Sequence, residues 1–395
     1  FADKTNRVIY VNNYEMVEYD EGEINLFDVK TGKKLKYSVA TLEQEDFSIA
    51  KEGYDHFMIK EIVEQRYTIK EAVQYTEDEL KPLVDAVKKA RRVYTVGAGT
   101  ASFAASQIAY FLRMYAGIPA QDLKSYEMES FVSQFSEKDL VIAISQSGET
   151  ADTIEAVEFA KNKGANIASL VNMLGSTLTR ISDYPYFSRS GPEICVASTK
   201  AFTAQVSWGY LLAMSIIGKH QAARKEISQV ASAIENYFSP TLFEHIKKIA
   251  KKIAKHEHFF VLGKGQNYSV ALEGALKVKE ITYKHFEGFA AGELKHGVIA
   301  LIEKGTPVFA IISEDGNKND MLSAVAEVKA RGAWTVAIAK ENNEMFDEFI
   351  KTPEAGLADS IVNVIPFQLL SYFLGVHLDR SPDKPRNLAK SVTVK

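Results

Sequence analysis

A run of hydroxyl and amide side chains occupies residues 145–150, Ser-Gln-Ser-Gly-Glu-Thr. It follows an apolar stretch typical of a buried strand and precedes a periodic stretch typical of a helix. Free backbone N–H groups at a helix start, together with the helix dipole, favour an anion. The lysine of a nucleoside-triphosphate loop is missing. The run therefore predicts a site for a single phosphate on a small molecule, unless its Ser and Thr side chains serve only as helix caps.

Three further segments contain groups that could move protons or attack a carbonyl. Glu273, Lys277 and Glu280 are spaced to share one helix face, where they could form an acid–base pair, although a solvated salt-bridged face has the same spacing. His296 lies in a glycine-bounded turn and could titrate near neutral pH, although a lone histidine is more often structural. Lys390 lies in an apolar C-terminal segment, where a desolvated amine could act as a nucleophile. Its alternative is an exposed tail lysine.

Composition excludes several classes of protein. The 395 residues include 47 basic and 51 acidic side chains, a formal net charge of -4, and the two signs are interspersed, which argues against a nucleic-acid surface. The single cysteine, Cys195, cannot form an internal disulfide or a multi-cysteine zinc site, which fits a reducing, cytoplasmic location. No apolar run approaches the roughly 18 residues of a membrane helix. We expect a globular protein of two or three domains.

The candidate residues must be positioned by helices and strands that alternate from about residue 50 onwards. The clearest apolar strands are 92–96, 140–144 and 167–171. Their alternation with helical stretches is typical of βαβ units and a parallel sheet. Ligands lie at the carboxyl ends of such strands, so the glycine loop at 97–100 and the serine-rich loop should face one crevice. Before residue 40, short β-rich segments separated by turns predict a small β meander.

The second half of the chain repeats the organisation of the first. Gly97 and Gly263 begin matching glycine loops, and Glu-Lys pairs at 137–138 and 303–304 precede matching strands at the same separation. This pattern predicts two copies of one α/β unit with a boundary near residues 218–235. The counterpart of the serine-rich loop, residues 313–317, is acidic and lacks the hydroxyl run. We therefore expect one kind of site, built by both copies.

Together these segments resemble the isomerising glutamine–fructose-6-phosphate amidotransferases, also called glucosamine-6-phosphate synthases. The resemblance covers residues 50–395, and the family's motifs occur in its order at 145–153, 196–203, 272–280, 290–297 and 385–394. Other sugar-isomerase (SIS) proteins share mainly the serine-rich loop. The resemblance implies an α/β fold of two duplicated SIS domains, each a doubly wound parallel sheet flanked by helices. They would span residues 46–225 and 226–395, after a C-terminal remnant of a glutaminase domain at residues 1–45.

The resemblance also implies roles for individual residues in hexosamine biosynthesis, without a metal or organic cofactor. The phosphate of fructose 6-phosphate would be held by Ser145, Gln146, Ser147, Thr150 and Thr100. The sugar would contact Val196, Ser198 and Ala389. Lys390 would form a Schiff base with the C2 carbonyl, Glu280 would move a proton between C1 and C2 with the help of Lys277, and His296 would promote ring opening. His296 would reach the site from the neighbouring subunit, which makes the enzyme a homodimer.

Two features depart from the family's usual pattern. The family commonly has a serine after the Gly-Thr pair of the first glycine loop, whereas this chain has Ala101, for which Ser102 could substitute. Family members also carry a glutaminase domain with a catalytic first cysteine, whereas residue 1 here is Phe1 and Cys195 lies inside an isomerase motif. We therefore expect glucosamine 6-phosphate to be made with ammonia and not with glutamine. The alternatives are a non-catalytic phosphosugar-binding module and a glucosamine-6-phosphate deaminase.

Overall fold

The computed structural model describes residues 5–12, 14–41 and 50–394, and it divides into two compact units, Phe1–Ser48 and Ile49–Lys395. The smaller unit contains a three-stranded antiparallel sheet in the order β2-β3-β4 and a separate antiparallel pair of β1 with β5. Glu21 and Gly22, both with positive φ, form the tight turn between β2 and β3. The predicted β meander is confirmed. Its strands are β1 Arg7–Val8, β2 Glu15–Asp20, β3 Glu23–Asp28, β4 Lys34–Leu35 and β5 Ala40–Thr41.

The first half of the larger unit forms a five-stranded parallel sheet in the order β7-β6-β8-β9-β10. All six residues of its central strand β8 are buried, as expected where helices cover both faces of a parallel sheet. The elements are α1 Phe57–Glu71, α2 Glu77–Lys89, β6 Arg92–Gly97, α3 Thr100–Met114, β7 Ala120–Lys124, β8 Asp139–Ile144, α4 Ala151–Asn162, β9 Asn166–Val171, α5 Thr177–Ile181, β10 Tyr184–Phe187 and α6 Lys200–Ile216.

The second half forms a parallel sheet with the equivalent strand order, β12-β11-β13-β14-β15. The duplicated α/β fold that the repeat predicted is confirmed. Its elements are α7 His220–Tyr237, α8 Pro240–Ile253, β11 His258–Gly263, α9 Gln266–Thr282, β12 His285–Ala290, β13 Pro307–Ile312, α10 Lys318–Lys329, β14 Trp334–Ala339, β15 Glu348–Lys351, α11 Asp359–Asn363 and α12 Ile365–His377.

The two copies share a backbone conformation where the first strand of each sheet turns into a helix. Gly99 has φ 55° and ψ −131°, and Gly265 has φ 60° and ψ −127°. Glycine adopts these positive φ values without the steric penalty of a side chain. A Cβ at Gly97 would lie 2.8 Å from the carbonyl of Ala101, and one at Gly263 would lie 2.1 Å from the carbonyl oxygen of Asn267. Both turns therefore bring the helix start close to the strand end.

The two halves share one apolar core, in which α3 of the first half packs on α9 of the second. Helix α6 is buried at every position except Ser215. The stretch Gly356–His377, which contains α11 and α12, is long and apolar enough to cross a membrane, although the sequence analysis found no such run. It is 89% buried inside the protein, as expected for a core helix. The domain boundaries at residues 45–46 and 225–226 stay predictions.

Candidate active site

The strand order places a crevice at the carboxyl ends of β6 and β8. Successive connections leave this pair of strands in opposite directions along the sheet, which is where open α/β sheets bind ligands. The glycine loop that ends at Gly99 follows β6, and the serine-rich loop 145–150 follows β8. Because β6 and β8 pair in parallel, with Val96 opposite Ala143, the two loops emerge side by side.

The serine-rich loop is folded so that its hydroxyl groups lie close together. Ser145 Oγ accepts a hydrogen bond from the Gly148 N–H at 3.0 Å and lies 3.3 Å from Thr150 Oγ1. Ser147 Oγ accepts a hydrogen bond from the Glu149 N–H at 3.1 Å. Thr150 is the N-cap residue of α4, but its side chain makes no capping hydrogen bond. The interpretation of the loop's side chains as helix caps therefore does not apply to Thr150.

The C-terminal segment lies against this loop. Ser391 Oγ donates to Ser147 Oγ at 3.0 Å, and the Ala151 N–H donates to the carbonyl of Val392 at 3.1 Å. These contacts place Lys390 beside the crevice, with only 26% of its side chain exposed. The alternative of an exposed tail lysine is therefore wrong.

Lys390 meets a carboxylate that the sequence analysis did not single out. Its Nζ lies 2.5 Å from Oε2 of Glu193, which lies in the connection between β10 and α6 and has no exposed side-chain surface. Burial favours the protonated form of Glu193, but Lys390 and the N–H groups of Thr199 and Ala201 outweigh it and lower the pKa of the carboxyl below its ordinary value. Glu193 therefore faces Lys390 as an anion.

A second buried carboxyl lies behind this pair. Oε1 of Glu61, on α1, accepts hydrogen bonds from the N–H groups of Ile194 at 2.5 Å and Cys195 at 3.2 Å. Burial and the neighbouring charge of Glu193 raise the pKa of Glu61 to about 8. Glu61 therefore carries a proton at neutral pH for most of the time, while Glu193 is ionised.

The acidic and basic residues of α9 form a buried cluster rather than a solvated face. Lys277 Nζ lies 2.6 Å from Glu280 Oε2 and 3.4 Å from Glu273 Oε1, and it donates to Thr100 Oγ1 at 2.9 Å. The side chains of Lys277 and Glu273 have no exposed surface, whereas that of Glu280 is 19% exposed. The alternative of a solvated salt-bridged face is therefore wrong. Of the two carboxylates in this cluster, Glu280 is the one with exposed side-chain surface.

The cluster shifts the pKa values of its members. Burial raises the pKa of Glu273 to about 8, with opposition from the charge of Lys277 and reinforcement from Glu280. Burial disfavours the charged form of Lys277, but Glu273 and Glu280 outweigh it and raise the pKa of the ammonium above its ordinary value. Glu193 also acts on Lys277 through its charge, so the Lys277 cluster and the Lys390–Glu193 pair belong to one electrostatic environment.

The remaining predicted substrate-binding residues are partly buried or exposed. Ser198 Oγ donates to Glu193 Oε2 at 2.9 Å, and the Val196 N–H donates to the carbonyl of Asp383 at 3.1 Å. The carbonyl of Gln146 accepts a hydrogen bond from the Asn172 N–H at 3.0 Å. Ala389 is exposed next to Lys390. Ser198 is thus linked to Lys390 through Glu193, and Gln146 belongs to the serine-rich loop itself.

Two predicted residues lie apart from this group. His296 is exposed at the end of a 3₁₀ segment, Ala291–His296, after the edge strand β12, and no contact joins it to the Lys277 cluster among the described residues. Ser102, the proposed substitute at the Ala101 position, is buried, and its hydroxyl donates to the carbonyl of Gly99 at 2.8 Å. Its hydrogen is therefore already committed within the protein.

The fold and the crevice define a protein of the SIS class. The SIS domain family matches residues 86–215 and 252–376, one match over each parallel sheet. Each match contains the glycine loop of its half and the parallel strands around that loop. The sequence-based prediction of two SIS domains is confirmed.

Longer relatives of similar sequence define the family within that class. The glutamine–fructose-6-phosphate aminotransferase (isomerising) of Pyrococcus horikoshii is 38% identical over 412 residues, and that of Fusobacterium nucleatum is 39% identical over 407 residues. These matches cover 100% and 99% of this chain and 67% of each relative. The chain belongs to the family of isomerising glutamine–fructose-6-phosphate aminotransferases, and it spans about two thirds of the length of these relatives.

A solved structure agrees with this assignment. The C-terminal domain of glucosamine-fructose-6-phosphate aminotransferase from Francisella tularensis is 30% identical to this chain, with a TM-score of 0.78. The match covers 85% of this chain and 100% of that domain. The family resemblance noted in the sequence is thus confirmed at the level of both sequence and fold.

Proposed function

We propose that this chain binds fructose 6-phosphate, isomerises it and, with ammonia, converts it to glucosamine 6-phosphate in hexosamine biosynthesis. The observation that carries the proposal is the position of Lys390. The amine lies between the serine-rich loop, through Ser391 and Ser147, and the buried carboxylate of Glu193. One segment of chain therefore connects a phosphate-binding loop to a nucleophile.

The phosphate is held by the serine-rich loop and the starts of two helices. Ser145, Ser147 and Thr150 supply clustered hydroxyl groups, and α4 directs the positive end of its dipole at them. Gln146 adds its amide. Thr100, the first residue of α3, supplies a hydroxyl that already links the loop region to Lys277.

Schiff-base formation begins with attack of the neutral Lys390 amine on the C2 carbonyl of the open-chain sugar, and water leaves. Val196, Ser198 and Ala389 contact the sugar around this carbon. The imine makes the hydrogen at C1 acidic, because the electron pair released there is delocalised into the C=N bond. This is the reason for placing an amine, and not only a proton donor, beside the crevice.

Glu280 transfers the proton from C1 to C2. It is the partly exposed carboxylate of the cluster, and Lys277 fixes its position from 2.6 Å. Lys277 also assists by stabilising negative charge that develops on the substrate oxygen. His296 promotes ring opening from the neighbouring subunit of a homodimer, in keeping with its exposed position away from the cluster of its own chain.

Ammonia is the proposed nitrogen donor because this chain offers no reactive thiol. Cys195 is its single cysteine, and its Sγ donates to the carbonyl of Pro382 at 3.3 Å inside the core. Burial raises the pKa of the thiol. The chain should therefore not hydrolyse glutamine. A buried, reduced cysteine also fits a cytoplasmic location.

The test incubates the chain with fructose 6-phosphate and follows glucose 6-phosphate, then adds ammonium chloride and follows glucosamine 6-phosphate. Borohydride reduction followed by peptide mass mapping should locate a sugar adduct on Lys390. Sugar-phosphate binding without turnover or adduct would instead support a non-catalytic binding module. A strong preference for consuming glucosamine 6-phosphate would support the deaminase alternative, and release of glutamate from glutamine would contradict the proposed nitrogen source.

A further inference from the structure

Glu193 is a fully buried carboxylate for which the proposed reaction assigns no role. Each of its oxygens accepts two hydrogen bonds. Oε1 accepts from the N–H groups of Thr199 at 2.8 Å and Ala201 at 3.1 Å, at the start of α6. Oε2 accepts from Ser198 Oγ at 2.9 Å and Lys390 Nζ at 2.5 Å. Glu193 therefore links two parts of the proposed site. It bonds Ser198, a proposed sugar contact in the connection before α6, and Lys390, the proposed nucleophile.

The two oxygens serve different purposes. The hydrogen bonds of Oε1 cap the N-terminus of α6, and any hydrogen-bond acceptor at this position could make them. The bonds of Oε2 are made to two side chains whose proposed partners are the substrate. A helix cap does not require a charge, and it does not require contact with Lys390. The second oxygen is thus unexplained by a purely structural role.

We propose that Glu193 is the positioning residue of Lys390 and the acceptor of its proton. This role rests on the proposed function. In the resting chain, Glu193 holds the Lys390 ammonium beside the crevice. When the sugar enters, one N–H proton passes to Oε2, and the freed electron pair of Nζ forms the C–N bond at C2. The second proton and the one on Glu193 leave with the C2 oxygen as water, and the carboxylate is restored beside the iminium.

The groups that face this pair leave Glu193 as the ionised acceptor in contact with Lys390. Glu61 on α1 is a neighbouring carboxyl, and burial together with the charge of Glu193 raises its pKa and so favours its protonated form. Lys277 on α9 acts on Glu193 through its charge but is engaged by Glu273 and Glu280. Asp383 in the tail accepts hydrogen bonds from the N–H groups of α1. Glu193 is therefore the ionised carboxylate that contacts the Lys390 amine.

The experiment compares Glu193→Gln with Glu64→Gln in the chain as it stands. Glu64 is a matched control because it also pairs with a buried lysine, Lys200, at 2.7 Å at the start of α6, and it forms no ion pair with Lys390. We expect Glu193→Gln to lower kcat for fructose-to-glucose 6-phosphate conversion by about 10²–10⁴-fold with KM within about threefold. The rate of borohydride-trapped adduct formation should fall with kcat. Glu64→Gln should keep both rates within about threefold.

The outcomes separate this inference from the proposed function. A parent chain that forms no adduct on Lys390 overturns both. A parent chain that forms the adduct, together with a Glu193→Gln variant that forms it within about threefold of the parent rate, overturns the role of Glu193 alone. Equal loss in both Gln variants also overturns it, because Glu64 does not contact Lys390.

A second variant covers the case in which Glu193→Gln does not fold. Glu193→Asp keeps the charge but withdraws it from Lys390 by one methylene. We expect this variant to fold and to lose about tenfold or more in kcat and in adduct formation, with KM within about threefold. Rates within about threefold of the parent chain would overturn the role.

Discussion

The two halves of the large unit have the same strand order and the same glycine turn, but they offer different chemistry at equivalent places. Helix α9 of the second half brings Glu273 and Lys277 to Thr100 beside the first sheet. Helix α3, its counterpart, has Gln107 and Phe111 at the matching positions after the glycine turn. The site is thus built from a loop of the first copy and a helix of the second. The first copy does not supply an equivalent helix face to the second, because α3 lacks the acidic and basic residues of α9 at the matching positions.

The loops after β8 and β13 show the same divergence. Ser145 and Thr150 keep their hydroxyls together in the first copy. In the second copy, Ser313 Oγ accepts hydrogen bonds from Asn267 Nδ2 at 2.8 Å and Asn363 Nδ2 at 3.3 Å, so it is engaged inside the core. Duplication therefore conserved the backbone, while the side chains divided into a reactive set and a packing set.

Each half also contains a buried carboxylate that lies between its last strand and the long helix that follows. This carboxylate, Glu193 in the first half and Asp359 in the second, is paired with a lysine from another segment. In the first half, Lys390 comes from the C-terminal segment and is 26% exposed. In the second, Lys340 lies 2.8 Å from Asp359, and its side chain is 4% exposed. Access to the crevice, rather than the presence of an ion pair, distinguishes the two. A reactive lysine needs a route to substrate as well as a carboxylate partner.

The largest contrast is expected between the two lysines. Lys390→Ala should lower conversion of fructose 6-phosphate by about 10³-fold or more, because the amine of the Schiff base is removed. Lys340→Met should keep kcat within about threefold but lower the free energy of unfolding by about 3–5 kcal/mol, because Asp359 stays buried without its partner. Turnover assays and denaturant titrations measure both. Similar losses of turnover in the two variants would contradict the division between the halves.

The next contrast lies between the matching positions of α9 and α3. Lys277→Met should lower kcat by about 10²-fold or more and destabilise the fold by about 3–5 kcal/mol, because two carboxyls lose their shared cation. Gln107→Leu should leave kcat unchanged and stability equal or higher. Its buried amide atoms have no hydrogen-bond partner among the described residues, so an apolar side chain removes a desolvation cost. A loss of turnover in Gln107→Leu would mean that the face of α3 around Gln107 contributes to the site as well.

A smaller contrast is expected between two glycines. Gly148 has φ +68°, and an added Cβ would lie 2.1 Å from Ser176 Oγ, whereas Gly316 has open space around it. Gly148→Ala should destabilise the fold by about 1–3 kcal/mol and raise KM for fructose 6-phosphate, because the serine-rich loop must shift. Gly316→Ala should change stability by less than about 1 kcal/mol and leave KM unaltered. An unchanged KM in Gly148→Ala would argue against phosphate binding by this loop.

The smallest effect concerns the pH dependence of stability. The pKa values of Glu61 and Glu273 are both raised to about 8, so each carboxyl binds its proton more tightly in the folded chain than in the unfolded one. Their contribution to stability is present below the unfolded pKa and is lost as pH rises through about 8. Tm should therefore fall measurably as pH rises from 5 to 8. Glu273→Gln should flatten this slope, and an unaltered slope would exclude Glu273 as its source.

The sequence predicted much of the fold because its signals are local. Apolar strand runs, helical periodicity and the repeated glycine loop identified two parallel α/β copies, and the structure confirms them. The family motifs are likewise contiguous. Glu193 and Glu61 escaped prediction because each is an isolated acidic residue with no periodic partner, and their proximity to Lys390 arises from segments more than a hundred residues apart.

The sequence by itself determined the duplicated architecture, the serine-rich loop at a strand end, and the shared helix face of Glu273, Lys277 and Glu280. These properties follow from spacing along one segment. Only the tertiary structure decided that this face is buried against α3 and that the C-terminal segment lies on the serine-rich loop. Burial and charge pairing depend on which distant elements pack together. The same lysine spacing can therefore be solvated in one fold and part of a site in another.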